Sequence, residues 1–145
     1  MNKKILIIGG TGFIGYHFAK KCLTKNWNVY SLSTKLPSSK RKINKIKYLI
    51  CDIYNKKKLN MVIGGKKFDY VVNLGGHVDH TKKNKVFNSH YIGCKNLANY
   101  FLNSKIKKFL QVGSSVEYGH TKSPQKETAI IEEKKLQSFY GTAKL

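Results

Sequence analysis

Two stretches of the 145-residue chain carry residue types at spacings that chemistry can use. Gly9-Gly10-Thr11-Gly12-Phe13-Ile14-Gly15 directly follows the apolar run Ile5-Leu6-Ile7-Ile8, and Tyr140-Gly141-Thr142-Ala143-Lys144 stands near the other end. Glycines at 9, 12 and 15 omit side chains where one would obstruct. The first permits a tight turn, the second lets a pyrophosphate approach the backbone, and the third lets helix pack closely on strand. The amides opening that helix then face the anion, and the helix dipole adds to the attraction. On a helix, Tyr140 and Lys144 share a face, and an ammonium beside a phenol favours the phenolate. Singly, each pattern has a plainer reading, as a ligand-free turn or a surface tyrosine. Their joint presence invites the elements that would position them.

Those elements alternate. Lys3 to Ile8 reads as a strand and Gly12 to Lys25 as a helix, with Phe13, Phe18, Ala19 and Cys22 on neighbouring turns. Val29 to Leu32 is a second strand, and Thr34 to Lys45 a polar loop. Ile46 to Cys51 is a third strand, and Asn55 to Val62 a helix with Asn55 as N-cap and Gly64-Gly65 at its end. Phe68 to Leu74 is almost wholly apolar, as a strand covered on both faces would be. Lys83 to Asn103 is a long helical stretch whose Phe87, Tyr91, Cys94, Ala98 and Phe101 fall at helical spacing and are expected in the core. Lys108 to Gly113 is a fifth strand, Tyr118 to Glu133 a polar loop, and a last helix begins near Gln137. Strands alternating with helices imply right-handed βαβ units in a doubly wound parallel α/β sheet with helices on both faces.

Composition narrows the class. With 41% hydrophobic and 12% aromatic residues the chain is globular in type, and residues 1–145 are expected to form one domain. No apolar run is long enough to cross a bilayer, and the N-terminal Met1 to Ile8 segment lacks a signal peptide's cleavage site. The cysteines Cys22, Cys51 and Cys94 suit neither a disulfide framework nor a metal site, and a cytosolic protein is the simplest reading. The net charge of +21 suggests nucleic acid, but Arg41 is the sole arginine. Nucleic-acid readers favour arginine for bidentate contacts, so lysines spread over every segment read as a solvated surface.

Taken in order, these motifs resemble the extended short-chain dehydrogenase/reductase superfamily, in its branch of nucleotide-sugar epimerases, dehydratases and reductases. Gly9 to Gly15 matches the branch's cofactor loop. Asp52-Ile53 looks like the pair that holds the adenine ring, and Asn73-Leu74-Gly75-Gly76 occupies the strand-four segment beside the cofactor. The usual pattern there is histidine, an apolar residue and two alanines, so Asn73 and both glycines are departures that keep the small size. Ser114-Ser115-Val116-Glu117-Tyr118-Gly119 resembles the strand-five motif with the catalytic hydroxyl, aligned on Ser114 with Ser115 close second. Tyr140 to Lys144 is the Tyr-x-x-x-Lys signature.

The resemblance implies a Rossmann-type fold and an NAD(P)-dependent reaction on a nucleotide-sugar. Tyr140 would move a proton at a sugar hydroxyl while hydride moves to or from the nicotinamide, the serine would orient the same oxygen, and Lys144 would also reach the cofactor ribose. Leu74, Gly75 and Gly76, with Gly9, Gly12, Phe13, Ile14 and Gly15, would line the cofactor site. Ser33 stands where an aspartate selects NAD, and hydroxyls with Lys35, Lys40 and Arg41 nearby favour NADP over NAD. His77 and His80 are expected at a rim or substrate loop without a metal, Glu117 as an extra acid-base group or a structural one, and Glu132 and Glu133 in solvent. His90 lies where the family often has asparagine, and its role is open. Members of the branch run about twice as long, so this chain is expected to be the N-terminal part of a homodimeric enzyme, inactive by itself. A non-catalytic NAD(P)-binding module or redox sensor is the alternative.

Overall fold

The computed structural model describes residues 2–131, 136 and 138–145. The alternating buried runs form a five-stranded, wholly parallel sheet: β1 (Lys4–Ile8), β2 (Asn28–Ser33), β3 (Lys47–Ile50), β4 (Tyr70–Asn73) and β5 (Lys108–Gln111), in the order β3-β2-β1-β4-β5. β1 is central, with Ile5 opposite Val29 on one side and Tyr70 on the other. Its side chains point alternately to two cores. Leu6 and Ile8 join Leu59, Ile63, Leu97 and Phe101, while Ile5 and Ile7 join Ala19, Cys22 and Val29. The helices α1 (Phe13–Thr24), α2 (Lys56–Ile63) and α4 (Gly93–Phe101) supply those partners apart from Val29 of β2, so both faces are covered and the fold is a doubly wound one of Rossmann type.

Local chemistry sets the element ends. Asn55 caps α2 by accepting the Lys58 amide at 3.0 Å, as its type predicts. Gly9 adopts φ +76°, and a Cβ on Gly15 would collide with the Gly9 carbonyl, so the loop from β1 into α1 needs glycine at both positions. At the opposite end of the sheet, Trp27 stacks on Tyr70 at 4.9 Å under the ammonium of Lys3.

The long helical stretch is interrupted. It runs as α3 (Lys83–Phe87), a π turn (Asn88–Ile92) and α4. The buried stripe is Val86, His90, Gly93, Leu97 and Phe101, so of the expected core set only Phe101 is buried. Phe87 and Tyr91 stack on each other in a partly solvent-exposed position. The π turn inserts an extra residue and rotates the face that meets the sheet. The last helix, α5 (Phe139–Lys144), is capped by Ser138, which accepts the Gly141 amide at 3.0 Å. Its expected start at Gln137, and Glu132 and Glu133, lie outside the described residues.

Candidate active site and cofactor groove

A groove of about 680 Å³ opens along the C-terminal ends of β1, β2, β3 and β4, where the order of strands reverses direction between β1 and β4. That is where open α/β sheets bind ligands, and the volume suits one. One side is the glycine loop: Gly9, Thr11, Gly12, Phe13, Ile14 and Gly15 all line the groove. Gly12 is the N-cap of α1, with no side-chain cap bond and no acid in the first turn. The open amides of α1 therefore suit an anion.

The other sequence-derived cofactor residues gather at the same groove. Ser33 and Thr34 line it at the end of β2, Asp52 and Ile53 after β3, and Leu74, Gly75 and Gly76 after β4. Asp52 turns one carboxylate oxygen to the Tyr54 amide at 3.0 Å, and Ser33 Oγ stands 3.4 Å from the Thr11 amide. Lys35 is exposed and outside the lining. Sequence reasoning missed Lys85, Asn88 and Ser89, which also line the groove. Their spacing along a helical stretch was visible, but nothing marked that face as facing a ligand.

A smaller pocket of about 190 Å³ shares the wall Leu74 to Val78 with the groove. Tyr140 and Lys144 line it together with His77, His80 and His90. His80 stacks on the Tyr140 ring with centroids 4.1 Å apart, and His90 meets that ring edge-on at 5.0 Å. The Lys144 ammonium lies 5.7 Å from the ring centroid and donates to the Val112 carbonyl at 2.7 Å. Burial, and to a smaller extent the Lys144 ammonium, holds the His90 imidazole below its ordinary pKa against the hydrogen bond to the His77 carbonyl, which raises it. Asp79 closes the loop into α3 by pairing with Lys82 and accepting from Thr81, which in that order lower its carboxyl pKa to about 2.

Ser114 and Ser115 follow β5 and are not among the residues lining either cavity, although Gly113 lines the smaller one. Ser114 is the N-cap of a 3-10 turn, and its amide donates to the Glu117 carboxylate at 2.6 Å. Glu117 is thus engaged in holding the strand-five turn. Asn73, the departure at the end of β4, is buried with both side-chain polar atoms bonded: it donates to the Gln111 side chain at 2.7 Å and accepts the Gly75 amide at 3.1 Å. Among the described residues, no group of three or more His, Cys, Asp or Glu side chains is placed to hold a metal ion, and no helix is long and apolar enough to cross a membrane.

The sequence model of the NAD dependent epimerase/dehydratase family matches residues 5–145. The chain belongs to that family. Among curated relatives it is 27% identical to a pea (Pisum sativum) bifunctional UDP-glucose 4-epimerase and UDP-xylose 4-epimerase, over 99% of this chain and 45% of the relative. Among solved structures it resembles the WbmG enzyme of Bordetella bronchiseptica in complex with NAD and UDP, with a TM-score of 0.87 at 16% identity over 99% of this chain and 47% of that one. It also resembles the UDP-Glc/GlcNAc 4-epimerase of Campylobacter jejuni, with a TM-score of 0.86 at 21% identity over 99% of this chain and 46% of that one. The chain spans about half the length of these three proteins.

Proposed function

We propose that this chain is the NAD(P)-binding, proton-transferring part of a nucleotide-sugar epimerase. One observation carries the reading: Tyr140 and Lys144 line a pocket that shares a wall with the groove built on the glycine loop. The loop and the amides of α1 would hold the cofactor's pyrophosphate, Asp52 and Ile53 its adenosine end, and the Leu74 to Val78 wall its other end. When bound, the nicotinamide supplies a site that takes and returns a hydride. Tyr140 would take the proton of the sugar hydroxyl and give it back, with Lys144 favouring the phenolate. Ser114, with Ser115 second, is the hydroxyl assigned to orient the sugar oxygen. The names of the pea and Campylobacter relatives support UDP-sugars as substrate class and 4-epimerisation as the reaction.

Cofactor choice lies at the end of β2. Ser33 and Thr34 bring hydroxyls there with no carboxylate to repel a 2′-phosphate, which favours NADP, whereas WbmG is named with NAD. We expect both cofactors to bind, NADPH at least as well as NADH. The three free thiols, each pushed up by burial, suit a reducing, cytoplasmic setting. The partly exposed rings of Phe87, Tyr91 and Phe139 form one face that a second copy could cover in a homodimer.

The test titrates the protein with NADH and NADPH, then repeats the titration in Gly12→Val and Tyr140→Phe. Saturable binding that Gly12→Val abolishes and Tyr140→Phe leaves within about twofold supports the groove assignment. In a form long enough to bind UDP-sugar, Tyr140→Phe should cut turnover at least about 100-fold. Binding with no turnover in any form would make this a non-catalytic dinucleotide module.

A further inference from the structure

The His90 side chain sits in the middle of the π turn and is 8% exposed. Its Nε2 stands 3.2 Å from the carbonyl oxygen of His77. A carbonyl only accepts, so the neutral ring carries its hydrogen on Nε2 and leaves Nδ1 as a bare acceptor. That Nδ1 is buried without a hydrogen-bond partner, a cost folds rarely carry away from functional sites. The preceding residue completes a clamp: Ser89 Oγ accepts the His77 amide at 3.0 Å. Two successive residues of the π turn thus hold both the N–H and the C=O of His77, within the wall that separates the groove from the small pocket. π turns recur at functional sites because they let neighbouring residues reach points a regular helix would not.

The ring has room there only because residue 76 has no side chain. A Cβ on Gly76 would collide with Cε1 of His90 and lie 2.7 Å from both ring nitrogens. Gly76 is not among the positive-φ glycines Gly9, Gly65 and Gly119, so space and not backbone conformation requires glycine at this position. The His90 ring therefore fills the volume that a side chain at 76 would need.

We propose that His90 and Gly76 are an interlocked pair, in which the imidazole fills the space a side chain at 76 would need, positions the wall shared by the two cavities and props Tyr140 against it. His90 is a positioning residue, acting through the His77 backbone and the Tyr140 ring. Its effect on Tyr140's chemistry rests on the proposed function, and the interlock itself does not. The titratable and charged groups facing the ring are Tyr140 and Lys144 from α5 and His77 and His80 from the loop before α3. Protonation would put a hydrogen on Nδ1, where no acceptor is placed, and add a charge beside Lys144. Acidification therefore penalises the buried ring, while Nε2–H goes on donating to the His77 carbonyl.

The experiment is a double-mutant cycle on the full chain with Gly76→Ala, His90→Asn and both together, read by thermal melting and by NADH titration. Gly76→Ala is expected to weaken NADH binding about tenfold and to lower the Tm by about 5 °C. Adding His90→Asn should bring both readings back to those of His90→Asn alone. If Gly76→Ala fails to fold, recovery of a folded double variant supports the pair in the same way. Equal damage from Gly76→Ala with and without His90 overturns it. Long-range proton–nitrogen spectra of the unmutated chain give an independent reading: the Nε2–H form of His90 is expected, and the Nδ1–H form overturns the clamp. A chain that binds no NADH or NADPH would sink the proposed function while leaving the melting cycle and the tautomer to judge the pair.

Discussion

The groove and the small pocket share one wall but are held by different means. The groove hangs from strands whose side chains are buried on both faces, with Ile5 to Ile8, Leu32, Val71 and Val72 almost inaccessible. The pocket's outer side rests on β5, where Leu110 is 51% exposed, and on the six-residue α5. That helix is held by its Ser138 cap, by the Lys144 bond to Val112 and by the rings of His80, His90 and Phe87 against its own. A site built on the core is fixed by the same contacts that fold the chain. A site assembled from ring contacts over a short helix can shift while the sheet stays intact.

The largest expected effect tests the first half of that contrast. Gly15→Val drives a side chain into the Gly9 carbonyl, so dinucleotide binding should fall beyond detection and stability by about 3 kcal/mol in a urea titration. Leu6→Ala, at a site with no exposure, should cost about 3 kcal/mol, whereas Leu110→Ala on β5 should cost under about 0.5 kcal/mol; similar losses at the two sites would erase the difference between the regions. Asn55→Ala removes the α2 cap and should cost about 1 kcal/mol in the same urea titration. The smallest effect is a pH dependence. The folded chain holds His90 below its ordinary pKa, so the unfolded chain binds the extra proton first as pH falls. The stability this group supports is present above pH 6.5 and is lost as pH falls from there toward the lowered value, so the Tm should drop over that window and drop less in His90→Asn.

Much of the first region was legible because its signals are local. Ile5 to Ile8 followed by glycines at fixed offsets specifies strand, turn and helix within one stretch, and Asn55 specifies a helix start by its side chain alone. The second region was legible only as residue types. Tyr140 and Lys144 were found by spacing, but the histidines around them come from a loop and a π turn that no periodicity announces. The helical spacing of Phe87, Tyr91 and Cys94 pointed to the wrong face of the helix, because burial there follows Val86, His90, Gly93 and Leu97. An imidazole and a glycine do not read as core from sequence. Asn73 looked like a small-residue substitution near the cofactor, and its bond to Gln111 depends on a strand pairing across 38 positions.

The stack of Trp27 on Tyr70 lies at the N-terminal ends of the strands, with the groove at their C-terminal ends. Trp27 is the sole tryptophan, so the chain has one indole emitter, set about one strand length from the site. Its emission overlaps the absorption of a reduced nicotinamide, and no nicotinamide in the groove can touch it. Quenching on titration would therefore report energy transfer across the sheet and not contact. The protein carries its own optical gauge of occupancy, and the Tyr140 side of the molecule can be mutated without disturbing the gauge.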